Sequence, residues 1–412
     1  MKKVIITLSL ALSCNAFSQE LTPVYEDSLT DGSLTRVSSF NYYSSNAFNN
    51  DLLDKFLFGG AITTDIKDQV TKGLKRVNSF GAEAEQSIEH YNANINPIGN
   101  PKFGFTASFS DNHFVSSNIS SDLYHTIFYG NADSVGDTLD YSFSHLQYIH
   151  YQKIGFGVYD KRTLSSLRIN YVSGSKQTQG RLSNSFMYTA EDSIALMLQG
   201  AGFRTDLTSP YFAMQGHGFS IDLNYNFLFE TKNGNEQIIN LKISNLGLIA
   251  WNNETNIYSI DSLTGYTGFD IKDFINQPED APSKKYNFID TLGLEQEKGS
   301  VISTLPIEFA IQKMPKRNSD KKLQPILGFK AILTSDYFPY LFGGVYYAPT
   351  DNFSGSTRLS YGGFGGLQWG LDLNYWVKDK VYIGLGTFDM IGNISKKYGF
   401  GRSVNLSAHF KL

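Results

Sequence analysis

Residues 403–412 read Ser403-Val404-Asn405-Leu406-Ser407-Ala408-His409-Phe410-Lys411-Leu412. Val404, Leu406, Ala408, Phe410 and Leu412 fall on one face, and Ser403, Asn405, Ser407, His409 and Lys411 on the other. A period of two is the signature of a β-strand, whose successive side chains point to opposite faces. The same period runs upstream. Leu367, Trp369, Leu371, Leu373, Tyr375 and Val377 oppose Gln368, Gly370, Asp372 and Asn374. Phe219, Ile221, Leu223, Tyr225, Phe227 and Phe229 oppose Ser220, Asp222, Asn224 and Asn226. Shorter examples are Ile239, Leu241 and Ile243 against Asn240, Lys242 and Ser244, and Leu305, Ile307, Phe309 and Ile311 against Glu308 and Gln312.

Two architectures share this pattern. A soluble sandwich turns the apolar face inward; a transmembrane barrel turns it toward lipid and fills its lumen with the polar face. Strand length and loop alternation favour the barrel. Residues 366–377 and 401–412 are twelve-residue stretches, where soluble strands run about 5–6 residues and a tilted bilayer crossing takes about 9–11. Short links (Lys378-Asp379, residues 349–352 and 231–235) alternate with long ones, above all 252–302. If the terminal strand runs down to the periplasm, 391–400 is external and 378–379 periplasmic. Working back, 362–365 is external, 349–352 periplasmic, 334–339 external, 314–323 periplasmic, 252–302 external and 231–235 periplasmic. The longest loop lands outside without adjustment, as short turns at one rim and long loops at the other require.

Composition agrees. Charged residues make up 18% and aromatic residues 14%, against about 25% charged in a soluble domain. No run long and apolar enough for a helical span follows the first dozen residues. Residues 1–18 read as a signal peptide: Lys2 and Lys3, an apolar Val4–Leu12 core, and Ala16-Phe17-Ser18 before a cleavage at Gln19. Cys14, the one cysteine, lies in that leader, so the exported portion has no disulfide. The net charge of −4 leaves no basic footprint for nucleic acid.

Phe103, Phe105, Ala107 and Phe109, then Ile154, Phe156 and Val158, then Leu167, Ile169 and Tyr171, are further strand candidates. The expectation is an all-β fold: a transmembrane antiparallel β-barrel of about 14 strands over residues 19–412. Region 44–100 stands apart. Ala47–Phe58 and Ile62–Val77 have near-helical spacing, as a loop or periplasmic helix pair or as a plug in the barrel mouth. Region 176–216 is ambiguous in the same way.

Gly216-His217-Gly218-Phe219-Ser220-Ile221-Asp222-Leu223 opens one strand, and the next ends in Ser244-Asn245-Leu246-Gly247-Leu248-Ile249-Ala250-Trp251, followed by Tyr266-Thr267-Gly268-Phe269-Asp270. In this order the chain resembles a Bacteroidota outer-membrane β-barrel family of unknown function, distantly similar to FadL-type and secretion-system-associated barrels. It departs from that family at Ala250, where a basic residue often stands. The resemblance implies an outer-membrane location over residues 36–412. It implies either passive uptake of hydrophobic or amphipathic small molecules or a non-catalytic accessory role in a secretion or assembly complex. Uptake predicts an apolar pocket in the lumen; the accessory role predicts a closed lumen and a contact surface on 176–216 or 252–302. Asn245-Leu246-Gly247 breaks the alternation and suits a bulge. Trp251 then falls at the outer interface, in an aromatic girdle.

Motifs for chemistry are absent. The seven histidines (His90, His113, His125, His145, His150, His217 and His409) show no metal spacing, and His145 and His150, five apart, face opposite sides of a strand. There is no G-x-S-x-G elbow. Gly362-Gly363-Phe364-Gly365-Gly366 has no following helix with Lys-Ser/Thr and reads as a flexible external turn. The acidic stretch Asp261 to Asp273, with Glu279, Asp280, Glu295 and Glu297, lacks regular Ca²⁺-loop spacing and reads as solvated. No catalytic, cofactor or metal residue is assigned and no ligand-binding residue is identified; the expected partners are outer-membrane lipid and another outer-membrane protein complex. Asp222, Asn224, Asn226, Asn240, Lys242, Glu308, Asp372 and Asn374 are expected to face the lumen, with both signs of charge and no ion preference.

Overall fold

The computed structural model describes residues 24–25, 28–230, 236–266, 293–317, 319–334 and 336–412. The leader at 1–18, the link 231–235 and most of 252–302 lie outside the described residues. Fourteen strands close into an antiparallel barrel. They are β1 (Ser33–Ser45), β2 (Val77–Asn92), β3 (Phe103–Ser120), β4 (His145–Asp160), β5 (Ser166–Thr189), β6 (Gly216–Glu230), β7 (Glu236–Trp251), β8 (Glu308–Met314), β9 (Leu323–Ile332), β10 (Phe338–Thr350), β11 (Phe353–Gly363), β12 (Leu367–Val377), β13 (Val381–Thr387) and β14 (Gly401–Lys411). Each pairs with its sequence neighbour, and β14 closes the ring on β1 from Leu34↔Lys411 to Ser44↔Gly401. An even strand count brings both chain ends to one rim, which also carries the short links 161–165, 351–352 and 378–380. The other rim carries 46–76, 121–144, 333–337 and 388–400.

The outward face is apolar. On β6 it presents Phe219, Ile221, Tyr225, Phe227 and Phe229; on β12, Leu367, Trp369, Leu373, Tyr375 and Val377, all exposed. The inward face buries Asp222, Asn226, Asn240, Glu308, Gln368, Asp372, Asn374, Ser403, Asn405, Ser407 and His409. Apolar outside and polar within is the inverse of a soluble fold, and it is what a closed wall standing in hydrocarbon requires. The band ends abruptly toward the loop rim. Outward Phe109 is followed by Asp111, Ile154 is preceded by Gln152, Tyr171 is followed by Ser173, and Phe219 is preceded by His217.

Above the band the wall continues on one side only. The upper half of β5 leaves β6 and pairs with Ile194–Arg204, which pairs with Thr255–Tyr266, which pairs with Glu295–Gly299. Ile302–Thr304 then returns to β7. Regions expected as ambiguous (176–216) or as a long loop (252–302) thus supply a sheet crest on the loop rim. Asp261, Glu295 and Glu297 lie on its strands, exposed.

Region 44–100 is not a single plug or loop, and its helices lie at the loop rim rather than on the periplasmic side, because β1 ends there, opposite the rim that carries the chain ends and short turns. Strand β1 extends to Ser45, and β2 takes Val77–Asn92. Between them lie helices α1 (Asn50–Phe58) and α2 (Thr64–Thr71), capped by the side chains of Asn49 and Thr63 as N-caps require. With α3 (Ser121–Tyr129) they pack on the outer wall, where Leu52, Leu53, Leu57, Val70 and Tyr124 meet outward Tyr43, Ala82, Val115 and Tyr148. An apolar wall continuing above the lipid band needs cover from water, and the amphipathic helices provide it.

Candidate functional site

The lumen is filled. Inward Phe40, Tyr42, Phe114, Ile149, Tyr151, Val172, Ile249, Trp251 and Ile332 meet three residues delivered by loop-rim connectors, Leu305, Phe364 and Phe388, in one buried apolar layer. Phe388 stands 5.1 Å from Phe40, ring centre to ring centre, and Phe364 5.9 Å from Phe114. Glycines make room: a Cβ on Gly81 would fall 2.2 Å from the Phe364 ring, and one on Gly174 2.7 Å from the Trp251 ring. The turn at 362–366, expected to be flexible, is held by this Phe364 insertion, with the ring fully buried.

Trp251 is not in an outer girdle. It is 2% exposed inside the barrel, and its Nε1 donates to Ser303 Oγ at 2.9 Å. The cause is a bulge at Asn245. Leu223 pairs with Ile243 but Ile221 pairs with Leu246, so one residue is inserted and every later side chain changes face. Asn245 sits at φ +62°, a region its short polar side chain tolerates better than most. Its N–H donates to Asp222 Oδ1 at 2.8 Å and its Oδ1 accepts from Lys153 Nζ at 2.6 Å.

Adjoining the apolar layer on the turn side is a layer of paired charges. Lys330 Nζ lies 3.0 Å from Glu83 and 2.9 Å from Glu308; Lys242 is 3.6 Å from Glu308; Lys153 is 3.0 Å from Asp222; Arg168 is 2.5 Å from Glu89. Both signs are matched by partners, as buried ions require. A void of about 30 Å³ separates parts of the two layers, and a cavity of about 150 Å³ lined by Arg36, Glu85, Glu89, Lys153 and Arg168 lies toward the turn rim. The N-terminal segment crosses that rim: Tyr25 N donates to Pro315 O and Leu29 N to Lys161 O, each at 2.9 Å. On the loop side, Asp336 reaches into the wall to Ser116, to His145 and to Asn118 Nδ2 at 2.6 Å.

The expected lumen residues Asp222, Asn224, Asn226, Asn240, Lys242, Glu308, Asp372 and Asn374 are brought inside; Asp372 accepts from Arg358 at 2.5 Å. Outside the wall, the short helix α4 (Met390–Ile394) is capped by Asp389, whose carboxylate accepts from Gly392 N at 2.8 Å. Burial pushes the Asp389 carboxyl above the usual range. His145 and His150 do face opposite sides of β4, as their spacing predicts. The histidines that meet are His113 and His150, opposite each other across β3 and β4. Their separation of 37 residues hides this from any local motif.

The class that the fold defines is a closed fourteen-stranded antiparallel β-barrel with an apolar exterior. No family model and no curated protein matches the chain. It is similar to the toluene transporter TbuX of Ralstonia pickettii (9% identity, TM-score 0.41, 98% of this chain and 97% of that one). It is also similar to the toluene transporter TodX of P. putida (8%, 0.39, 98% and 95%) and to the translocator domain of the autotransporter NalP from Neisseria meningitidis (9%, 0.28, 100% and 94%).

Proposed function

We propose that this chain is an outer-membrane barrel with a closed lumen, working as a non-catalytic accessory or structural subunit of an outer-membrane secretion or assembly complex. The observation that carries this reading is the two-layer closure of the lumen, apolar Phe40–Phe388–Trp251 against the Lys330–Glu83–Glu308 ion layer. The apolar layer so filled leaves no apolar path through the barrel for a hydrophobic solute; the cavity of about 150 Å³ beneath it is lined largely by charged and polar side chains, and one of about 260 Å³ at the turn rim mixes Leu29, Leu34, Trp376 and Tyr382 with Arg317 and Asp379. The working surface is then the loop-side crest built from 176–204, 255–266 and 295–299. The apolar outward band supports lipid as the surrounding partner, and the sequence resemblance is shared by this reading and by uptake. The test is purification of the tagged chain from native outer membrane in mild detergent, with mass spectrometry of co-purifying proteins and lipids. A stoichiometric protein partner, lost when the crest is altered, is expected. A solitary barrel carrying lipid would overturn the accessory role.

One observation favours a second reading, gated uptake of a hydrophobic or amphipathic small molecule. Leu305, Phe364 and Phe388 come from connectors rather than from wall strands, so they can withdraw without breaking the barrel. That reading expects faster entry of a hydrophobic probe into cells carrying the chain than into cells lacking it, and needs no partner.

A further inference from the structure

We propose a divalent transition-metal site on the outer wall, formed by Asp111, His113 and His150 with Tyr211 as fourth donor, whose ion pins the 205–215 connector to the barrel. Asp111 and His113 are outward neighbours on β3; Gln152 and His150 stand opposite them on β4. All four are buried, although the wall faces outward here, because the connector carrying Tyr211 lies over them. The side-chain donors of Asp111, His113 and His150 lie within 4.8 Å of one another.

The donor distances approach those of a tetrahedral site. Asp111 Oδ1 lies 2.9 Å from His150 Nε2, and Asp111 Oδ2 lies 3.7 Å from His113 Nε2. Tyr211 OH lies 2.8 Å from His113 Nε2 and donates to Asp111 Oδ2 at 2.6 Å. Metal–ligand distances of about 2.0–2.1 Å place tetrahedral donors about 3.3 Å apart, within the spread seen. Two imidazoles, a carboxylate and a phenol suit Zn²⁺ and its neighbours rather than Mg²⁺ or Ca²⁺. An outer set is also present. Gln152 Nε2 donates to Asp111 Oδ1 at 2.6 Å, its Oε1 accepts from Ser175 Oγ at 2.8 Å, and Tyr148 OH lies 3.3 Å from His113 Nδ1. Such partners orient metal ligands. His150 is 1% exposed, and its Nδ1 has no hydrogen-bond partner among the described residues.

Two features oppose binding and set its terms. The imidazoles stack with centres 3.9 Å apart and 9° between planes, so their lone pairs run parallel and the rings must splay to share one ion. The terminal torsion of histidine is broad, which keeps that motion inexpensive. Lys176, opposite His150 in register, adds a nearby positive charge. Beyond Tyr211 the connector exposes Phe212 and Met214 at the edge of the apolar band, so an ion here would hold a membrane-interface segment in place.

The test uses the full barrel in detergent, stripped with a chelator and titrated with Zn²⁺ by calorimetry, with Co²⁺ as the spectroscopic probe. One equivalent should bind, and Co²⁺ should give the intense visible bands of a four-coordinate site. His150→Gln should weaken binding at least 100-fold, and Gln152→Ala about 10–100-fold, as outer-set changes do. Should the histidine variant fail to fold, Gln152→Ala and Tyr211→Phe, which leave the three main ligands in place, carry the comparison. Absence of saturable binding by the wild type, or equal binding by wild type and all three variants, would overturn the site.

Discussion

The Trp251 indole is packed across Gly174 and Gly216, and this contact makes a sharp energetic prediction. A Cβ on Gly174 would stand 2.7 Å from the indole Cη2 and 3.0 Å from Ile249 Cγ2; one on Gly216 would stand 2.7 Å from Ile249 Cγ2 and 2.9 Å from the indole Cε3. Gly174→Ala should therefore overpack the lumen and cost about 1–3 kcal/mol. Trp251→Ala removes a fully buried indole and its hydrogen bond to Ser303, and should cost about 3–5 kcal/mol. Together the two should not add. With the indole gone, the new methyl enters the space it left, so the double variant should be about 1–3 kcal/mol more stable than the sum of the singles. The assay is equilibrium unfolding in urea with the barrel in detergent micelles, followed by far-ultraviolet circular dichroism so that loss of a tryptophan does not bias the signal. Additivity within about 0.5 kcal/mol would refute the packing, and with it the inward placement of Trp251.

Four other perturbations test separate parts of the account. Lys330→Met strands Glu83 and Glu308 in the filled lumen and should cost about 3–5 kcal/mol, measured by the same unfolding; a cost below about 1 kcal/mol would mean the ion layer is solvated. Deleting Asn245 removes the bulge and restores strict alternation, so Trp251 should turn outward and become quenchable by brominated lipid, which leaves it untouched in the wild type. Leu359→Arg, on the outward face of β11, should cost about 2–4 kcal/mol in a bilayer; no loss would argue against lipid at that position. For Asp389, burial raises the carboxyl, so the protonated form favours the fold. That contribution is complete below the unfolded value of about 3.9 and is lost as pH rises through the raised folded value. Asp389→Asn keeps a capping side chain and should stabilise the barrel at pH 7 but leave it unchanged at pH 3. A reversed order would contradict the burial.

How much of this was legible depends on which face of the wall carried the signal. Where lipid-facing residues are large, as at Leu367 to Val377 and Phe219 to Phe229, the period of two identifies strand, face and rim. Strand β2 escaped because its outward positions Ala82, Ala84, Gln86 and His90, set between Phe80 and Ile88, are small or polar, while its inward Glu83, Glu85 and Glu89 find cations on distant strands. Without an apolar stripe it looked like part of the helical stretch beside it. The break at Asn245 was visible, but its consequence was not, since a single inserted residue moves Trp251 from lipid to lumen. The helices read correctly as amphipathic, yet periodicity cannot say whether an apolar face packs inside a barrel or against its outer wall. The apolar layer is drawn from six strands and three connectors, and the Asp111–His113–His150 cluster joins two strands across 37 residues. Both exist only after the barrel closes.

Single-channel recording in planar lipid bilayers tests the closed lumen most directly. Purified wild-type protein should insert without steady conductance, while a Phe364→Ser/Phe388→Ser variant, which removes two connector residues from the apolar layer, should show stable open steps. Stable ohmic steps from the wild type would contradict a sealed barrel and return the lumen to the role of a permanent channel.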